Sequence, residues 1–137
     1  MSNGVHEASL LLARFDYFEE CFLDSVEWLN FGTTLHLVFD LLRDESGEIR
    51  ADLGVPWHVE CRMIGLMNID LDNRLPPVLL DDPSAVDFWT SEVSFARLSE
   101  VELPDRTGAK LLVSWGSRRE LIVVSASISV VDLRNPT

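Results

Sequence analysis

Residues 57–71 read WHVECRMIGLMNIDL, with apolar side chains at Trp57, Val59, Cys61, Met63, Met67, Ile69 and Leu71 and polar ones at His58, Glu60, Arg62, Asn68 and Asp70. Alternation of period two over such a length commits the segment to extended backbone, one face in a core and the other nearer water. At ~3.3 Å per residue, about fifteen residues span roughly 50 Å, well beyond an ordinary strand. The strand therefore has to bend, and Gly65 is the natural place for a bulge or kink.

The rest of the pattern supplies partners for that strand. Residues 21–29 and 33–43 read as two strands turning at Asn30-Phe31-Gly32, where Asn and Gly tolerate the positive φ of tight turns. In the second of them Leu35, Leu37, Phe39 and Leu41 share one face, while His36, Val38 and Asp40 share the other. Asp44-Glu45-Ser46-Gly47 is a polar turn, with a short extended piece expected over 48–52. Asp72 to Pro77 reads as a loop, and Asp82-Pro83 as the start of a short helical turn whose Phe88 and Trp89 plug one end of the sheet. Strands follow over 92–103, 109–115 and 120–133, the last two joined through Gly116-Ser117-Arg118. Only residues 7–20 carry a helical pattern, with Leu11, Phe15 and Phe18 on the apolar face and Leu10, Leu12 and Tyr17 widening it. Glu19 and Glu20 are unfavourable at a helix C-terminus, so the helix is expected to stop there. The expected fold is mainly β, of the α+β kind: one domain over residues 1–137, an antiparallel sheet of about six strands, sandwich-like or strongly curved, and one N-terminal helix. Short turns between neighbouring strands point to a meander.

Composition limits what such a domain can do. The formal charge is −12, from 23 acidic residues against ten arginines and Lys110. A surface this negative repels phosphate backbones and anionic lipid, so neither nucleic acid nor a membrane is an expected partner. It suits a basic protein, and it also keeps a β-rich chain soluble. There is no signal-peptide pattern and no membrane-length apolar run, which makes the cytoplasm the expected location. Cys21 and Cys61 are too few for a disulfide framework and are expected as buried thiols. Trp28, Trp57, Trp89 and Trp115 are expected mostly in the core, or as hot spots if several share an open face.

Two groups of residues could carry chemistry or binding. His36, Asp40, His58 and Glu60 fall on the polar parity of two strands that can pair, and His58-Val59-Glu60 sets imidazole and carboxylate on one face for a ligand or a metal. The same residues also fit a solvated strand face. Asp70, Asp72, Asp81 and Asp82 surround the long loop and form a candidate partner-binding surface, with a spacing that matches no calcium loop. No nucleophile elbow, phosphate-binding loop or dinucleotide fingerprint occurs, and no cofactor or catalytic residue is assigned.

Phe22-Leu23-Asp24-Ser25-Val26, the strand over 34–41, the segment 59–71 and the closing hairpin from Leu111-Leu112-Val113-Ser114-Trp115-Gly116 into 121–131 together resemble small bacterial proteins related to toxin-immunity families. In those families an N-terminal helix precedes a short Phe-His-Asp-Ser-like stretch and then an antiparallel sheet; here the histidine is replaced by Leu23. The resemblance implies a binding role and carries over no catalytic residue. The leading expectation is thus a non-enzymatic, immunity-like bacterial protein that binds a basic partner through an acidic surface. The alternative is a small-ligand-binding protein or enzyme with a pocket between sheet and helix, using His36, His58 and Glu60. A third reading is a homodimer formed by edge strands pairing with a second copy.

Overall fold

The computed structural model describes residues 3–44, 46–75, 77–85, 91–116 and 119–134. Six strands form one antiparallel sheet: β1 (Phe22–Leu29), β2 (Thr34–Asp40), β3 (His58–Asn73), β4 (Val93–Glu102), β5 (Thr107–Trp115) and β6 (Arg119–Asp132). Helix α1 (Val5–Arg14) precedes the sheet, and a one-turn helix α2 (Pro77–Asp81) opens the connection from β3 to β4. The spatial order is β1-β2-β3-β6-β5-β4. This is not a simple meander, because β3 pairs with β6 and not with β4. Two three-stranded meanders are instead zipped together by the two longest strands.

Those two strands bend together. Before the bend Val59, Cys61 and Met63 face the core, opposite Asp132, Val130 and Ile128 of β6. Gly65 then adopts φ +74, and Met67 is an extra residue that shifts the register between Leu66 and Asn68. Past the bend Leu66 and Ile69 pack on the core, and Asn68, Asp70 and Asp72 take the other face. β6 changes face over the same stretch, so that Leu121, Val123 and Ser125 point inward on one side of it and Ile128 and Val130 on the other. The reversal falls at Ser125, Ala126 and Ser127, which are small enough for either face. The Ser125 hydroxyl, fully buried, donates to the Ser127 carbonyl at 2.8 Å inside this reversal.

The bend curls the sheet until its edges meet at one end. The Val93 amide donates to the Cys21 carbonyl at 2.7 Å, the Leu23 amide donates to Ser91 at 2.8 Å, and Phe22 bridges Glu92. Of the two expected shapes, the strongly curved single sheet is the one formed. α1 packs on β6 and β4 and buries Val5, Ala8 and Leu12. β5 leaves β6 beyond Ser125, and the N-terminal residues cover the exposed edge, Asn3 accepting from the Ile128 amide at 2.9 Å.

The helix is shorter than its apolar pattern. It ends at Arg14, whose cation suits the C-terminal end of the dipole, and not at Glu20. Asp16, Tyr17 and Phe18 then take left-handed φ of 53, 55 and 59. This turn drops Phe18 into the core, stacked on Phe39 at 4.1 Å, and leaves Tyr17 half exposed. Phe15 and Phe18 are core residues as expected, but Phe18 reaches the core through a turn and not along a helix face. Leu10, expected on the apolar face, is exposed. The piece over 48–52 is no strand and makes one isolated bridge, Arg43 to Ile49. Asp82 does cap a turn at Pro83–Ala85, accepting from the Ser84 amide at 3.1 Å. Phe88, Trp89, Ser117 and Arg118 lie outside the described residues. Among the described residues no helix is long and apolar enough to cross a membrane.

Candidate functional site

Pairing of β2 with β3 brings the histidines and their carboxylates to the face turned away from α1. His36 lies opposite Arg62, Val38 opposite Glu60, and Asp40 opposite His58. Glu60 is flanked by Val38 on one side and Val131 of β6 on the other, which leaves it only 8 % exposed. A carboxylate so covered needs partners. It has two on one oxygen: Oε1 accepts from Arg62 Nε at 2.6 Å and lies 3.1 Å from His36 Nδ1.

The other two members of the expected cluster turn elsewhere. His58 Nε2 lies 3.2 Å from Asp24 Oδ2 of β1. Asp24 of β1 thus meets a histidine two strands away. Asp40 is held by Arg50 Nη2 at 3.1 Å and by the Trp57 amide at 3.0 Å. Arg50 itself is nearly buried and also donates to the carbonyls of Leu41 at 2.5 Å and Val55 at 2.6 Å, pinning the segment between β2 and β3. The four residues therefore form three separate couples, His36–Glu60, His58–Asp24 and Asp40–Arg50. Among the described residues no three His, Cys, Asp or Glu side chains are placed to share a metal ion.

Each couple orients its imidazole through a carboxylate, Glu60 for His36 and Asp24 for His58. Cys61, between Glu60 and Arg62 in sequence, points into the opposite, fully buried face. Burial raises its thiol pKa strongly, and the Glu60 charge adds to the effect. Burial likewise pushes Cys21 up to about 12, against a weaker opposing hydrogen bond with the Leu42 backbone. Neither thiol is a nucleophile at neutral pH.

A cavity of about 200 Å³ lies between the end of α1 and the segment after β2, lined by Arg14, Phe15, Glu19, Leu41, Arg43 and Trp57 among others. This is below the usual ~300 Å³ lower bound for a small-molecule pocket; two shallower grooves are larger, one of about 630 Å³ along Phe95, Arg97 and Leu112 and one of about 640 Å³ around His6, Glu100 and Arg106. His36, His58 and Glu60 do not line the first cavity, since they occupy the far face of the sheet.

The acidic residues expected around the long loop divide between two places. Asp70 and Asp72 project from β3 on the face away from the core, paired with Ile122 and Glu120 of β6. Glu120 was not among the expected residues; only the β3–β6 register reveals it. Asp72 thus faces a like charge directly, an arrangement that costs stability in a sheet. Arg74 offsets it in part, at 2.9 Å from Asp72 Oδ2. Arg119 lies on the other face, 5.1 Å over the Trp115 ring. Asp81 ends α2, and Asp82 is engaged in capping Ser84.

No family model matches the chain. No curated protein matches it significantly. Among solved structures it is similar to the crystal structure of an uncharacterized protein from Neisseria gonorrhoeae, with a TM-score of 0.55 and 13 % identity over 82 % of this chain and 91 % of that one, a likeness that shows a shared fold and no more.

Proposed function

We propose that this chain is a non-enzymatic bacterial binding protein, immunity-like and cytoplasmic, that holds a basic protein partner through its acidic surface. The observation that carries the reading is the outer face at the far ends of β3 and β6, where Asp70, Asp72 and Glu120 stand together with Arg74 as their described counter-charge. Opposed carboxylates there weaken the sheet, whereas an arriving cationic surface is attracted by them. The net charge of −12 extends the same field around the molecule and speeds encounter with such a partner. The residues best suited to chemistry are engaged with one another, which fits a binding role. The Neisseria neighbour is consistent with a bacterial source.

The test is capture from lysate of the source organism at low and high salt, with the Asp70→Lys/Asp72→Lys/Glu120→Lys variant alongside. A basic protein held by the native chain, released by salt and missed by the variant supports the reading. Capture that ignores both salt and charge reversal contradicts it.

A further inference from the structure

We propose that the end of the sheet around the β1–β2 turn is a self-association surface, and that a second copy of this chain covers it. β1 is an edge strand, and among the described residues no hydrogen bond reaches its outer side beyond Leu23. Val26 and Trp28 lie on its core-facing side yet remain about half and two-thirds exposed, because the core stops at Leu35 and Leu37 of β2. The turn continues the strip. Phe31 is fully exposed at φ +58, a left-handed conformation that a bulky residue adopts at a cost in folding and here without any burial in return. The bend in β3 lies alongside, since the Thr33 carbonyl accepts from both Gly65 and Leu66 at 3.0 Å. Ile64 and Met67 are half exposed there, and Leu29 shares a row with Thr34 and Ile64 on the face opposite Trp28.

Area and charge select the occupant. Trp28 at 64 % and Phe31 at full exposure contribute about 350 Å², taking roughly 150–250 Å² per aromatic side chain. The four partly exposed aliphatic side chains add roughly 200 Å². A standard interface needs about 800 Å² from each partner, a little over half of it apolar, and the tip supplies that apolar share when both its faces are counted, as a second strand laid along the edge flanks both. Charge is nearly absent: Trp28 to Leu35 and Met63 to Ile69 contain no charged residue, and Glu27 is the one carboxylate from Val26 to Leu35. Two chains of charge −12 repel over most of their surface, and this is the end at which they approach without opposing carboxylates. An antiparallel pairing of two β1 edges about a twofold axis at Trp28 sets the two indoles together. It also places Glu27 opposite Leu29 of the second copy and not opposite its own counterpart.

Sedimentation velocity over a concentration series at low and high salt tests this, with circular dichroism verifying each variant's fold. A dimer is expected that tightens with salt, because screening relieves repulsion between like-charged copies. Phe31→Asn suits the left-handed turn, and Val26→Lys places a charge on the edge; each is expected to weaken the dimer about 30-fold or more, as loss of a hot spot does. Leu80→Ser, at an exposed leucine in α2, leaves it unchanged. A native chain monomeric throughout, a dimer loosened by salt, or a dimer indifferent to both tip variants would overturn the proposal. So would tip variants that keep the dimer but lose capture of a basic protein, since the surface then belongs to that partner.

Discussion

Replacing Gly65 by alanine probes the bend on which the architecture depends. Gly65 holds φ +74, and an L-residue there costs roughly 1–2 kcal/mol. The new Cβ would sit 2.9 Å from the Ala126 Cβ of β6, closer than such atoms approach. Relieving that contact inside the longest strand pair adds about 1–3 kcal/mol. Lower entropy of the unfolded chain returns about 0.4–1 kcal/mol. The net expectation is a loss of about 3 kcal/mol, a large part of the ~5–15 kcal/mol typical of a domain. Urea unfolding should show a lower midpoint at unchanged slope. Adding Ala126→Gly should recover the contact share and leave the φ share, so the double variant falls between the two. A loss below about 0.5 kcal/mol for Gly65→Ala would refute the argument that both strands reverse face around this residue.

Four further outcomes follow from the structure. Cys21 and Cys61 should resist thiol reagents in the folded protein and react on unfolding; fast native labelling of either would contradict their burial. Because Cys21 is raised from 9.0 to about 12 in the folded state, its contribution is complete below pH 9.0 and declines as pH rises from there toward 12. Denaturation midpoints measured across that range should fall, and less so in Cys21→Ala. Arg50→Met should destabilise by about 2–4 kcal/mol, since Asp40 keeps only the Trp57 amide and the Leu41 and Val55 carbonyls lose their donor; a loss under about 1 kcal/mol by urea unfolding would show that Arg50 does not pin this segment. Glu60→Ala should cost about 1–3 kcal/mol by the same measurement through the loss of its contacts with Arg62 and His36, and an unchanged midpoint would show the pairs to be dispensable.

Local pattern accounts for some of this molecule and fails at identifiable points. The faces of β2 and the first half of β3 were legible because period-two alternation survives wherever one face is buried. Gly65 was legible as the bend because a strand so long needs one. The pairing of β3 with β6 was not, since nothing local states which distant strand a segment joins, and Glu120 was hidden with it. α1 was overextended because Phe15 and Phe18 recur at helical spacing, although left-handed residues from Asp16 deliver the second of them. His36 and Glu60 do meet, as strand parity allowed. The attachment of His58 to Asp24 and of Asp40 to Arg50 depends on elements far away in the chain, and so does the exposure of Trp28 at an edge the core does not cover.

The acidic-surface claim is tested most directly by association kinetics. The basic protein captured by the native chain would be immobilised, and binding of native chain and of the Asp70→Lys/Asp72→Lys/Glu120→Lys variant followed from low to high salt. The account predicts an association rate for the native chain that falls steeply with salt, and a variant that associates far more slowly with little salt dependence. Equal association rates for the two proteins, unchanged by salt, would contradict it.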